Sequence, residues 1–149
     1  MPADQEILQV IKQIEVFHGL SDAQLRALAQ ITQRESYNSG DTIIEQDTPG
    51  DSMFIIAQGQ VEVLKRDSEG EMQTALFLGE GQVFGELALL DQGLRTATIV
   101  ADEEPTILYT LKRDSFEGLC RTDTALGYQM MRNLALDMAF KLRHTNLDE

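Results

Sequence analysis

Phe84-Gly85-Glu86-Leu87-Ala88-Leu89-Leu90-Asp91-Gln92-Gly93-Leu94-Arg95-Thr96-Ala97-Thr98 sets a run of good helix formers, Glu86 to Leu90, directly behind a glycine. That order predicts one or two helical turns opened at Gly85. A helix start leaves backbone N–H groups without intrahelical acceptors, which makes it a ready anion site. Arg95 lies nine residues past Glu86, where the chain can return to the same place, and its guanidinium can fork onto two phosphate oxygens. Ionised Glu86 only accepts hydrogen bonds and suits a sugar hydroxyl, and Thr96 adds a hydroxyl of its own. Together these residues describe a site for a compact phosphorylated sugar. The plainer alternative is a Glu86–Arg95 salt bridge beside a helix cap, and at this level both readings stand.

Around this stretch, from about Arg34 to Leu111, glycines recur at short intervals between apolar or alternating runs. The runs are Thr42–Ile44, Met53–Ile56, Val61–Leu64, Thr74–Leu78, Thr96–Val100 and Thr106–Tyr109. Short strands at such spacing, with turn residues between them, indicate a sandwich, jelly roll or barrel. Gly40-Asp41, Gly50-Asp51 and Gly59-Gln60 read as turns where positive φ is useful, and Asp67-Ser68-Glu69-Gly70 as a hairpin loop.

The flanks are helical. Ile7, Leu8, Val10, Ile11 and Ile14 predict a short amphipathic helix, broken at Phe17-His18-Gly19-Leu20. Ser21-Asp22-Ala23-Gln24 fits a capping box opening a second helix with Leu25, Leu28 and Ile31 inward. Past Lys112, Asp114 can cap a short helix around Phe116 and Leu119. A long helix should then run from Asp123 toward Arg143, with Leu126, Met130, Leu134, Met138 and Leu142 on one stripe. Met131, Ala135 and Phe140 widen that apolar face.

Composition removes whole classes of function. Twelve Lys plus Arg against 25 Asp plus Glu give a net charge of -13, which argues against nucleic acid and anionic membrane as partners. No apolar run approaches a membrane span, and no signal peptide opens the chain. The single Cys120 allows no internal disulfide, so the cytoplasm is the expected compartment. Two histidines, His18 and His144, cannot supply the metal set of a cupin-type enzyme. No Ser/His/Asp or Cys/His set converges, so no catalysis, metal or resident cofactor is expected.

Phe84-Gly85-Glu86-Leu87-Ala88-Leu89 followed by Arg95-Thr96-Ala97-Thr98 closely resembles the phosphate-binding cassette of cyclic nucleotide-binding domains, the sensor type of catabolite activators and protein kinase regulatory subunits. Val16–Asp22 looks like the family's first turn, Gly40–Gln46 and Gly50–Ile56 like its early strands, and Gly59–Val63 follows in register. The resemblance spans about Val16 to Leu142. It implies an α+β fold: an eight-stranded β jelly roll with N-terminal helices, a short phosphate-cassette helix and a long C-terminal helix. One domain is expected over 1–149, with helices over 1–33, the roll over 34–111 and the C-terminal helices over 112–149.

The resemblance also implies roles. Arg95 should pair with the exocyclic phosphate oxygens and Glu86 should accept the ribose 2′-OH. The N–H groups of Gly85, Glu86, Leu87 and Ala97 should complete the phosphate cradle. Val63, Leu76 and Phe84 are candidates for an apolar wall near base and ribose, or for ordinary core. Thr96 occupies a position where the family carries Ala, Ser or Thr; threonine occurs there in cGMP-responsive members without being restricted to them. Leu94 departs from the proline often found before the arginine. The long helix can pack on its own roll or also form a homodimer seam, as in catabolite activators, with Thr145 and Asn146 as base contacts.

Past that helix only Leu147-Asp148-Glu149 remain, with no helix-turn-helix, so DNA binding is not expected. The expected function is a stand-alone receptor for cAMP, or else cGMP, acting on a separate, unidentified protein partner. The alternatives are a degenerate domain serving as a dimerisation or scaffold module, and a sensor of another phosphorylated ligand.

Overall fold

The computed structural model describes residues 3–147, with side chains from 4 to 144. α1 (Ala3–Ile11) and α2 (Asp22–Ile31) flank a 3-10 turn at Glu15–Phe17. The capping box forms: Gln24 N donates to Ser21 Oγ at 3.2 Å, and Ser21 N donates to Gln24 Oε1 at 2.9 Å. α1 ends at Ile11, earlier than the Ile7–Ile14 periodicity suggests, and Ile14 is buried just before the 3-10 turn.

Eight strands follow: β1 (Thr32–Tyr37), β2 (Thr42–Ile44), β3 (Ser52–Gln58), β4 (Gln60–Arg66), β5 (Met72–Gly79), β6 (Val83–Phe84), β7 (Thr98–Ala101) and β8 (Thr106–Lys112). They form two antiparallel sheets, ordered β1-β8-β3-β6 and β2-β7-β4-β5. The runs read in the sequence omit β6, which is only two residues long, and β1. The residues of β1 are mostly polar because it is an edge strand, and it exists through pairing with β8 from Thr32↔Leu111 to Tyr37↔Thr106. β7 starts two residues later than the apolar run, leaving Thr96 and Ala97 in the bend before it.

β3 explains how the molecule is layered. Phe54 and Ile56 point into the roll with Val61, Val63, Phe84, Ala97, Ile99 and Leu108. Met53 and Ile55, on the alternate face, pack against the helices. This strand therefore has no solvent face, which is why its sequence is a continuous apolar run. The helical layer presents Ile7, Ile11, Leu25, Leu28, Phe116, Leu126, Met130 and Leu134 to it.

α3 (Arg113–Thr122) and α4 (Thr124–Leu147) close the chain. Asp114 is not the cap of α3. Lys112 holds the N-cap position without a side-chain bond, because β8 runs straight into the helix, and Asp114 lies in the first turn. Asp123 does cap α4, its Oδ1 accepting from Leu126 N at 3.0 Å. The stripe on α4 is buried only at Leu126, Met130 and Leu134; Met138 is half-buried and Leu142 is exposed. Met131, Ala135 and Phe140 are exposed rather than part of the packed face. A helix of 24 residues is about 36 Å long, so its second half outruns the layer beneath it. Buried Asn133 pins the first half: its Nδ2 donates to Val16 O at 2.9 Å and His18 O at 2.7 Å.

Candidate functional site

A cavity of about 700 Å³ opens between β4, β5, the Phe84–Ala97 segment and α4. Phe84, Gly85, Glu86, Leu87, Arg95, Thr96, Ala97, Val63 and Leu76 all line it. Thr145 and Asn146 fall in the last turn of α4, and their side chains lie outside the described residues.

Gly85 has φ 77° and ψ 15°, the left-handed conformation that suits glycine, and it turns the chain from β6 into a 3-10 turn at Glu86–Leu89. Ala88 and Leu89 are buried and anchor the turn from inside. Its first N–H groups, at Glu86 and Leu87, have no intrahelical acceptors, as at any helix start.

Arg95 is held by its backbone first. Its N–H donates to Thr48 O at 2.7 Å, and its carbonyl accepts from Asp47 N at 2.9 Å. Pro49 and Leu94 form an isolated bridge beside these bonds, so the loop is clasped at Leu94. The side chain then threads a slot between two glycines. A Cβ on Gly50 would lie 2.4 Å from Nε and 2.5 Å from Cζ, and one on Gly85 would lie 2.8 Å from Nη1. Gly50 therefore has a steric task. It is not a positive-φ turn residue, since its φ is outside that region. The guanidinium sits 5.7 Å from the Phe54 ring centroid, and Phe54 stacks on Phe84 at 4.9 Å.

Arg95 is only 9% exposed, yet among the described residues it enters no salt bridge. Burial pushes its pKa below the ordinary value, and the charge of Asp51 opposes that shift. A buried guanidinium stays charged, so it is costly to bury without an anion beside it.

Glu86 does not pair with Arg95. Its Oε1 accepts from Lys141 Nζ at 3.2 Å, and Lys141 also meets Asp137 Oδ2 at 3.0 Å. The other oxygen, Oε2, is buried with no hydrogen-bond partner among the described residues. The plainer reading of the motif, an internal salt bridge, is thus set aside by geometry. Val63 and Phe84 are buried and serve both the core and the cavity, whereas Leu76 is 47% exposed and belongs to the cavity alone. Leu76 pairs with Val63 across β5 and β4, which places the two side by side.

Three contributors went unseen in the sequence. Lys141 reaches the cavity from α4. Gly50 makes the slot, and its signal was present only as one glycine among many. Arg113 ties the site's supports together, its Nη1 donating to the carbonyls of Gly50 at 3.1 Å, Ala88 at 3.1 Å and Asp91 at 2.9 Å. Nothing in sequence spacing marks an arginine that meets three distant carbonyls.

The sequence pattern of the cyclic nucleotide-binding domain matches residues 34–123. The chain belongs to the cyclic nucleotide-binding domain family. Among similar proteins, the cyclic AMP receptor protein of Thermus thermophilus is 33% identical over 133 residues, covering 89% of this chain and 59% of that protein. A cGMP-dependent protein kinase of Caenorhabditis elegans is 32% identical over 120 residues, covering 80% of this chain and 15% of the kinase. The chain thus spans less than two thirds of either relative. Among solved structures, the catabolite activator protein of Thermus thermophilus superposes with a TM-score of 0.80 at 33% identity, covering 90% of this chain and 61% of that one. A cyclic nucleotide-binding domain from Methylobacillus flagellatus gives 0.81 at 27% identity, covering 95% and 79%. The chain has the α+β cyclic nucleotide-binding fold: eight strands in two antiparallel sheets, N-terminal helices, a short α3 and a long α4.

Proposed function

We propose that the cavity binds a cyclic nucleotide and that the chain is a non-catalytic sensor domain in the cytoplasm. The observation that carries this reading is Arg95, buried, charged and, among the described residues, without a salt bridge at the wall of the cavity. A phosphate there supplies a directly paired anion, and the N–H groups of Gly85, Glu86, Leu87 and Ala97 complete its cradle. Glu86 Oε2 accepts the ribose 2′-OH. Val63, Leu76 and Phe84 offer apolar surface to the rest of the ligand. cAMP stands ahead of cGMP because the relative named for cyclic AMP covers more of this chain; Thr96 keeps cGMP in second place. Thr145 and Asn146 remain proposed base contacts.

The output is a change in α4 that a separate protein partner reads. Along its length α4 carries exposed Tyr128, Met131, Leu136, Phe140 and Leu142, and Tyr128, Met131, Ala135, Met138 and Leu142 recur at the alternating three- and four-residue spacing of a coiled-coil seam. This supports a homodimer through α4, testable by sedimentation. Calorimetric titration of nucleotide-stripped protein with cAMP and then cGMP tests the main reading. Micromolar or tighter binding is expected, and Arg95→Ala should weaken it by about a hundredfold or more. No heat from folded protein with either nucleotide overturns the reading in favour of a scaffold module or another phosphorylated ligand.

A further inference from the structure

We propose that Lys141 is a positioning residue for the sugar end of the site, holding Glu86 by one carboxylate oxygen so that the other is left for a sugar hydroxyl, and tying ribose recognition to the place of α4. This rests on the cyclic-nucleotide reading above. Three observations carry it. First, the carboxylate of Glu86 is divided: Lys141 takes Oε1 at 3.2 Å, while Oε2 is buried and unpartnered among the described residues. A carboxylate free to rotate would expose either oxygen, whereas a cation on one of them fixes which is offered. Second, Glu86 and Lys141 come from opposite parts of the chain, the cassette turn and the unpacked second half of α4. Their ion pair is the salt bridge between these two elements among the described residues. Third, Lys141 is itself oriented by Asp137, one turn earlier on the same helix, at 3.0 Å. The order is therefore Asp137, Lys141, Glu86, sugar hydroxyl.

Linkage makes the consequence reciprocal. If Lys141 strengthens the hold of Glu86 on a ribose hydroxyl, the same hydroxyl strengthens the hold of Glu86 on α4 by the same factor. A ligand lacking that hydroxyl still fills the phosphate cradle but loses its grip on the helix.

The experiment is calorimetry on the full chain with cAMP, cGMP and their 2′-deoxy analogues, for wild type, Lys141→Met, Lys141→Arg, Glu86→Gln and the Glu86→Gln/Lys141→Met pair. The preference for the ribonucleotide over its 2′-deoxy analogue should fall about fivefold in Lys141→Met, the upper range for a partly exposed ion pair. Affinity for the 2′-deoxy analogue should stay within twofold. Lys141→Arg should restore most of the preference, and Lys141→Met should add nothing in the Glu86→Gln background. Equal weakening of both analogues, an unchanged preference, or an undiminished effect on top of Glu86→Gln overturns the positioning role while leaving the binding reading intact. Failure of wild type to bind any of the four nucleotides overturns both.

Discussion

Gly50→Ala probes the slot that holds Arg95. Alanine at this position meets no backbone objection, because the φ of Gly50 lies outside the left-handed region. The obstacle is the side chain of Arg95: the new Cβ would sit 2.4 Å from Nε, 2.5 Å from Cζ and 2.8 Å from Cδ, distances that side chains do not tolerate. Arg95 has little room to yield toward Gly85, where a Cβ would lie 2.8 Å from Nη1, nor can its backbone move freely, since Thr48 and Asp47 bond it on both sides. The guanidinium must leave the slot. A displaced guanidinium loses a charge-assisted contact with phosphate worth about 1.5–3 kcal/mol, or about tenfold to a hundredfold in Kd. Stability should change far less, within about 2 kcal/mol, because mild overpacking is partly offset by a stiffer unfolded chain. Calorimetric titration with cAMP and a thermal melt separate the two effects. Gly118→Ala in α3 is the control: a Cβ there meets nothing within 4 Å, so affinity should hold and the helix should gain about 1 kcal/mol. A folded Gly50→Ala protein that binds within twofold of wild type refutes the placement of Arg95 as the phosphate anchor.

Other outcomes follow from the same geometry. Arg113→Met removes the donor shared by the carbonyls of Gly50, Ala88 and Asp91, and should loosen the cassette; faster amide exchange at residues 86–91 with an intact melt would register it, and unchanged exchange would contradict it. Asn133→Ala leaves the carbonyls of Val16 and His18 without their shared donor, and should cost about 1–3 kcal/mol in denaturant unfolding. Tyr37 has its pKa pushed up to about 12 by burial and by the hydrogen bond and charge of Glu35. The folded state thus keeps a proton that the unfolded state gives up near 10, so this contribution is whole below pH 10 and lost as pH rises toward 12. Tyr37→Phe should flatten that limb of the stability curve, and an unaltered limb would count against the assignment.

The sequence alone determined what rests on local chemistry. The capping box at Ser21–Gln24 needs only two side chains three residues apart. The turn at Gly85 needs only a glycine before helix formers. The core strands are legible because β3 is buried on both faces and cannot hide its apolar run. The cassette residues could be gathered because they lie within one short stretch, and all of them line the cavity. Tertiary structure decided the rest. β1 is polar and exists through its pairing with β8, so no periodicity announces it. The apolar pattern on α4 runs past the point where packing ends, since a helix repeats its pattern regardless of how far its neighbour extends. Glu86 found its cation on Lys141, 55 positions away, leaving Arg95 buried between two glycines with no salt bridge among the described residues. Such partners are chosen by the path of the backbone through space, and spacing along a chain carries no record of that path.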